Sequence, residues 1–597
     1  MKPTVEILTR LQGNSKKNND EIFTRLYRYL LRSDIYFVAY QHLYSNKGAG
    51  TKGVNEDTAD GFSEEYVNKI IEALKNGTYQ PKPVRRTYIQ KSNGKMRPLG
   101  LPTFTDKLIQ EVIRMILEAV YEPIFSNHSH GFRHGRSCHT ALIQIKHEFV
   151  GASWFVEGDI KGCFDNINHK VLIETLNKKI KDTRLLQLIQ KFLKAGYIEN
   201  WKYNSTYSGC PQGGILSPIL ANIYLNELDK FVENLKLSFD KRTPYKTTPE
   251  YKAIERQRAN IKKKIKRRSD GDERDMLIEE YKKLTKEMYK TPAKVCDDKK
   301  IKYVRYADDF LIAVNGSKKD CEWIKSQLTN FIGQELKMEL SQEKTLITHS
   351  NNYARFLGYD VRVRRDQQIK PWKNVKQRTM NNTVELLIPF ADKIEKFLFS
   401  HNIVKQRSDN GKLEPYKRDA LLRLTDLEIV STYDAELRGI CNYYSLASNY
   451  RNLNYFSYLM EYSCLKTLAT KHRTKISKIY NKFRTGEKRW GIPYETKSGK
   501  KVKQLTKFNE IGKANCNDVI PKEIIIYANT KTTLEARLRA KTCELCGSTD
   551  SEKYEVHHIN KVKNLKGKEP WEQIMIAKRR KTMVVCYECH KKIHNGF

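Results

Sequence analysis

Apolar residues recur along this chain with two different periods. Between Glu21 and about Val363, short apolar runs alternate with stretches in which apolar residues return at helical spacing. Two runs stand out, Ile301 to Arg305 and Phe310 to Val314, joined through Tyr306-Ala307-Asp308-Asp309. They predict a β-hairpin with carboxylates at its tip. Trp154 to Ile160 predicts a further strand, with Asp159 at its end. Asp240 to Lys302 is dense in Lys, Arg and Glu. Its apolar residues Ile261, Ile265, Leu277, Tyr281 and Leu284 predict two solvated helices inserted into this block. From about Trp372 to Tyr480 the pattern predicts helices, and Leu437, Ile440, Cys441 and Tyr444 form one i, i+3, i+4, i+7 stripe. A basic segment with few apolar runs follows, from Asn481 to Leu538. Near the end, Tyr554 to Ile559 predicts a strand ending in two histidines, and Cys589-His590 predicts a helix start.

Composition adds the partner. The chain has 597 residues, enough for about four domains at roughly 150 residues each. Lys and Arg number 109 against 69 Asp and Glu, a formal net charge of +40. Such an excess points to an acidic polymer, nucleic acid first, with an anionic membrane surface as the rival. No run of 18 apolar residues predicts a spanning helix, and MKPTVEILTR lacks the apolar centre of a signal peptide. With 39% hydrophobic and 10% aromatic residues the chain can pack cores, which excludes a disordered basic protein. Within the inserted helices, Lys262 to Arg268 carries six positive charges in seven residues, a solvated face that is also a candidate arm for RNA. Eight of the twelve cysteines are scattered, and four form the pairs Cys543/Cys546 and Cys586/Cys589. That usage fits a reducing compartment with one local metal knot.

Two constellations carry chemistry. Adjacent acids between apolar strands repel each other unless a cation sits there; an isolated pair is more often a plain acidic turn. Asp159, at the end of a neighbouring strand, shifts the balance. Carboxylates on two strands can hold two Mg²⁺ ions, an arrangement suited to in-line phosphoryl transfer. The cysteine pairs, 39 residues apart, can build a tetrahedral Cys₄ zinc site, with disulfides or unrelated core thiols as the alternatives. His590 and His594, four apart on a helix, face one side and can share a metal, or pack against the zinc knot.

Seven blocks in order resemble those of group II intron-encoded reverse transcriptases and maturases that also carry an HNH nuclease domain. They are Arg85 to Lys91 through Lys95 to Pro102, Ser129 to Arg133, Gly158 to Ile160 through Phe164 to Ile167, Pro211 to Pro218, Tyr306 to Asp309, Leu336 to Thr345, and Arg355 to Tyr359. The resemblance covers nearly the whole chain. It implies an α+β multidomain protein. Residues 1–370 would form the polymerase fingers and palm around the catalytic hairpin, with 240–302 as a charged helical insertion. Residues 371–480 would be an α-helical thumb, also called domain X or the maturase domain. A small basic DNA-binding domain would occupy 481–540, and a zinc-bearing ββα-metal nuclease 541–597.

The resemblance also implies roles. Asp159, Asp308 and Asp309 hold two Mg²⁺ ions, assisted by the Ile160 carbonyl. Lys91 and Arg97 bind the triphosphate. Phe164 excludes a ribose 2′-hydroxyl, and Gln212 lines the nucleotide site. Asp165 reads as a helix-start acid or cap. In the nuclease, His558 is the general base, and His557, His590 and His594 hold a divalent cation, Mg²⁺ as in the polymerase. Cys543, Cys546, Cys586 and Cys589 bind structural zinc. Where that family often carries Asn, this chain has Lys581, with Asn560 or Asn564 as candidate substitutes. The implied partners are intron RNA, double-stranded target DNA, deoxynucleoside triphosphates and a second copy of the chain, with no membrane. The implied setting is bacterial cytoplasm, at the nucleoid during insertion. The alternative is an RNA-binding splicing maturase with a relic polymerase.

Overall fold

A computed structural model describes residues 3–596, except 47, 91–93, 95, 211–212, 243–245, 270, 292, 296–297, 366–368, 373–374, 379–380, 408–410, 488, 497–498 and 514–532. Its organising element is a four-stranded antiparallel sheet. The strand order is Ile347–His349, Trp154–Asp159, Asp309–Asn315, Lys300–Tyr306. The apolar run after Asp309 is continuous because this strand is buried on both faces. Phe310, Ile312 and Val314 enter one core, while Leu311 and Ala313 enter a second. Trp154–Asp159 does the same, with Val156 in the first core and Phe155 in the other.

The first core gathers the N-terminal helices, the almost wholly buried helix Phe104–Tyr121 and the long helix Ser217–Phe239. Beside it lies a smaller sheet, in which Val84–Gln90 pairs antiparallel with Met96–Leu101 and parallel with Tyr197–Glu199. Leu534, Tyr554, Val556, Met583 and Cys589 also belong to this first core, so the C-terminal segment packs on the N-terminal half.

The second core joins the other face of the central sheet to the helices Asp426–Tyr443 and Leu453–Lys471. Leu437, Cys441 and Tyr444 of the predicted stripe are buried there, and Ile440 is half-buried. Tyr443 and Tyr444 donate hydroxyl hydrogen bonds to the carbonyls of Leu357 (2.6 Å) and Gly358 (3.2 Å), which fastens these helices to the sheet region.

The helical expectation from residue 371 onward needs correction up to Pro415. Strands occupy Val375–Arg378, Val384–Leu387, Val404–Gln406 and Leu413–Pro415. Val384–Leu387 completes a sheet with Tyr359–Val363, and its alternating Val384 and Leu386 point into the second core. A period of two over four residues was too short to override the helical pattern around it. The basic segment beyond residue 483 holds a three-stranded sheet, Arg484–Gly486, Arg489–Thr496 and Gly499–Gln504.

The charged insertion forms two helices, Pro249–Lys266 and Asp272–Lys290, with Ile261 and Met288 as their buried residues. Its basic run lies over the end of the first helix, where cations offset the negative end of the helix dipole. Among the described residues, no helix is long and apolar enough to cross a membrane.

Candidate functional sites

The acidic hairpin is built from below. Tyr306 pairs with Asp309, leaving a two-residue turn in which Ala307 takes left-handed backbone at φ 56°. Gly131 lies so close beneath that a Cβ there would sit 2.3 Å from the Ala307 nitrogen. The loop carrying Gly131 is tied to the hairpin strand by His130 N–H to the Arg305 carbonyl (2.9 Å) and Arg305 N–H to the His128 carbonyl (2.8 Å).

Arg305 is fully buried. It donates to both oxygens of Asp229 (2.7 and 2.5 Å) and to the Ala307 carbonyl (2.8 Å). Tyr303 also donates to Asp229 (2.9 Å), and Asn222 donates to the Gly131 carbonyl (2.9 Å). Asn222, Asn226 and Asp229 form a buried polar stripe on the Ser217–Phe239 helix, and its first and last members brace the turn. Sequence reasoning missed this support, although three polar residues at i, i+4, i+7 in an apolar helix were its signal.

Above this support, Asp159 and Asp309 face each other across paired strands, with Asp308 at the turn. Surrounding protein, then Asp308 and Asp159, push Asp309 up to about 7. Asp308 is also raised, by burial first and by Asp159, while Lys344 and Arg97 partly offset this. Lys344, inside the Leu336–Thr345 block but with no role assigned from sequence, donates to Asp159 Oδ2 at 2.8 Å. Three acids against one close ammonium leave a surplus of negative charge, which is the fit expected of a cation site.

Ile160 is buried beside Asp159. Phe164 stands in the short helix Cys163–Asn166 and meets Phe132 edge-to-face, with centroids 5.9 Å apart. Arg97 is exposed on Met96–Leu101, close enough to bias Asp308. Asp165 lies in the first turn of Cys163–Asn166. Lys91 and Gln212 lie outside the described residues.

The second site is at the C-terminal hairpin, Tyr554–His558 paired with Thr582–Cys586 and followed by the helix Tyr587–Asn595. The thiols of Cys543, Cys546, Cys586 and Cys589 all lie within 4.8 Å of one another, and none is in a disulfide. Cys546 and Cys586 sulfurs are 3.9 Å apart, near the ~3.8 Å edge of a tetrahedron with Zn–S of about 2.3 Å. Burial opposes ionisation of Cys543, but the backbone N–H groups of Cys546, Cys586 and Leu545 bring its thiol down to about 7. The four thiols could hold zinc.

His557, His590 and His594 converge beside that knot. His590 Nδ1 bonds Glu555 at 2.5 Å, which turns its Nε2 toward His594 Nε2 at 3.2 Å. His557 is buried, yet neither of its ring nitrogens has a hydrogen-bond partner. Two unpartnered buried nitrogens beside two more imidazoles suit a divalent cation.

A residue that no sequence pattern marked joins them. Asp60, from the N-terminal region, places Oδ2 2.8 Å from His594 Nε2 and 3.3 Å from His590 Nε2. Burial opposes the His590 imidazolium, but Asp60 and Glu555 raise it to about 9, and Asp60 itself is held well below the usual carboxylate range. His558 donates its backbone N–H to Asp60 Oδ1 (2.6 Å), and its Nε2 donates to the Tyr44 carbonyl (3.2 Å). Among the described residues neither Asn560 nor Asn564 bonds the His558 ring. Lys581 instead donates to the Ser45 carbonyl at 3.3 Å.

A polymerase-type acidic hairpin and a histidine–cysteine ββα unit on one chain define a reverse transcriptase fused to a metal-dependent nuclease, and the comparisons agree. Residues 89–240 match the reverse transcriptase (RNA-dependent DNA polymerase) family, 381–533 the type II intron maturase family, and 543–590 the AI2M/AI1M-like HNH endonuclease family. The chain is 59% identical over 596 residues to group II intron-encoded protein LtrA of Lactococcus lactis subsp. cremoris, covering 99% of each chain. It is also 36% identical to a 91 kDa protein in the cob intron of Schizosaccharomyces pombe, over 98% of this chain and 72% of that one. A COX1/OXI3 intron 1 protein of Saccharomyces cerevisiae is 34% identical, over 97% of this chain and 70% of its own length. The chain belongs to the group II intron-encoded proteins. It is a multifunctional reverse transcriptase, maturase and DNA endonuclease.

Proposed function

We propose that this protein binds its own group II intron RNA, assists its splicing, and then copies the intron into DNA. Residues 1–370 act as fingers and palm, 371–480 as thumb and maturase surface, 481–540 as DNA-binding domain and 541–597 as nuclease. The observation that carries the polymerase reading is the register that sets Asp159 opposite Asp309, with Asp308 on a braced turn. Mg²⁺ held by these acids supplies the activation of the primer 3′-hydroxyl and the stabilisation of the leaving phosphate oxygen. The Ile160 carbonyl would assist in holding that metal. Lys91 and Arg97 offset charge on the triphosphate of the incoming deoxynucleotide. Phe164 would exclude a ribose 2′-hydroxyl, and Gln212 would serve the incoming nucleotide.

In the nuclease, His558 accepts a proton from water, the role an imidazole suits near neutral pH. His557, His590 and His594 hold the divalent cation, and the four cysteines hold zinc that fixes the hairpin to the helix. Cutting the second strand of double-stranded target DNA gives the palm its primer. The exposed Lys and Arg of the thumb meet RNA phosphates, so binding weakens steeply with salt. The setting is the bacterial cytoplasm, and the nucleoid during insertion.

The deciding experiment is oligo(dT)-primed synthesis on poly(rA) with the Asp308→Ala variant, run beside a splicing assay. Loss of synthesis with splicing retained supports the reading. Full primer extension rejects the palm assignment.

A further inference from the structure

The nuclease centre faces the N-terminal region, and the contact is a built one. Gly61 N–H donates to the Val556 carbonyl (3.1 Å) and Val556 N–H donates to the Phe62 carbonyl (2.9 Å). The segment after Asp60 therefore makes one antiparallel bridge, Phe62 to Val556, with the histidine-bearing strand. Gly61 has φ 78°, the left-handed backbone that lets the chain turn from Asp60 into that pairing. Phe62 is buried beneath it, stacked on Tyr40 with centroids 4.1 Å apart. Pairing and packing together fix the Asp60 carboxylate at the histidine cluster.

Three of the four distances there share a value, and the fourth, His594 Nε2 to Asp60 Oδ2, is shorter at 2.8 Å. A tetrahedral centre with bonds of about 2.0–2.1 Å to nitrogen and oxygen has ligand atoms about 3.3–3.4 Å apart. His590 Nε2 lies 3.2 Å from His594 Nε2 and 3.3 Å from Asp60 Oδ2, and Asp60 Oδ1 lies 3.3 Å from His557 Nδ1. The last contact is out of line for a hydrogen bond, since His557 Nδ1 has no hydrogen-bond partner. An imidazole nitrogen that is buried, unpartnered and beside a carboxylate but not aimed at it has the arrangement of two ligands pointing at a shared ion.

Resting on the nuclease reading, we propose that Asp60 is a fourth ligand of the nuclease cation, donated across the domain boundary by the fingers. Three histidines leave a position for the scissile phosphate; a fourth protein ligand fills it. Closed four-ligand centres are the structural type, and catalytic centres keep an open position. The docked form thus stores the cation without cutting. Target DNA reaches the centre by displacing Asp60, and the Tyr44 carbonyl must release His558 in the same opening.

The test is hydrogen exchange on the full chain, depleted of weakly bound metal and then titrated with Ni²⁺. It is read at peptides spanning residues 58–62 and 554–558. In the wild type, Ni²⁺ is expected to slow exchange at both peptides by about tenfold or more. In Asp60→Asn, which keeps the shape of the side chain, Ni²⁺ is expected to leave the 58–62 peptide unchanged. Ni²⁺ affinity in that variant should fall about 10–100-fold, the range seen when a metal site loses a supporting partner. His594→Ala is expected to lose the Ni²⁺ response at both peptides. Equal Ni²⁺-dependent protection in Asp60→Asn overturns the proposal, as does wild-type exchange that ignores the metal. Ni²⁺-dependent protection in a protein that never cuts DNA would keep Asp60 as a ligand and overturn the nuclease reading instead.

Discussion

The two chemical centres of this protein are assembled in opposite ways. The palm acids stand on adjacent strands of one sheet, braced by one helix and one loop, and their carboxylates face outward with negative charge to spare. The nuclease histidines stand on a small hairpin and helix, and a carboxylate from the far end of the sequence balances them. The first centre is assembled on one sheet and is short of cations. The second is paired with a carboxylate and covered by the N-terminal half of the chain. A polymerase that must accept an RNA–DNA duplex and a nucleotide gains from an open, charged face. A nuclease carried on the same chain gains from being held shut until its DNA arrives.

The largest expected effect separates the two centres outright. Asp308→Ala should abolish cDNA synthesis in a primer-extension assay while second-strand cleavage continues. The reciprocal change is His558→Ala, expected to slow second-strand cleavage about 10²–10⁴-fold with primer extension intact. Cleavage at the wild-type rate would reject His558 as the base.

A third change tests whether the palm centre depends on its buried brace. Asp229→Ala leaves the Arg305 guanidinium without its carboxylate in a dry core, a loss worth about 3–5 kcal/mol. Chemical denaturation should show it, and Asp229→Leu combined with Arg305→Met should recover much of the loss. A single variant as stable as the wild type would mean the brace is not needed.

The smallest effect concerns pH. Asp309 is raised to about 7 in the folded, metal-free protein, above the ordinary carboxylate value near 3.9. Between those values the unfolded chain has already lost the proton that the folded chain keeps. Stability of the metal-free protein should therefore fall as pH rises from about 4 to 7. Asp309→Asn should flatten that slope in thermal melts, and Mg²⁺ should flatten it in the wild type. A slope unchanged by either would show that the three carboxylates do not share one field.

Much of the palm was legible in the sequence because each signal was local. Two apolar runs around two acids are a hairpin in any context, and the double burial of Asp309–Asn315 explains why its run was continuous rather than alternating. The cysteine pairs and the His590/His594 spacing were legible for the same reason. Asp60 was not. It sits in a polar stretch, Asn55 to Asp60, with no period and no motif, and its meaning comes from a partner hundreds of residues away. The strands between residues 375 and 415 were hidden by their length, since three or four residues hold too few alternations to oppose a helical neighbourhood. The Arg305–Asp229 brace was partly legible, as a polar stripe in an apolar helix, but only the fold shows that it supports the acidic turn.

The contact between Asp60 and His594 also sets a clock. These residues are 534 positions apart, and ribosomes add about 5–20 residues per second. The fingers therefore wait about half a minute to two minutes, with the Asp60 loop bare, before the nuclease helix emerges to meet it. By then the palm sheet and the helices packed on its two faces have left the ribosome. The order of synthesis delivers the histidine cluster after its docking surface has been made.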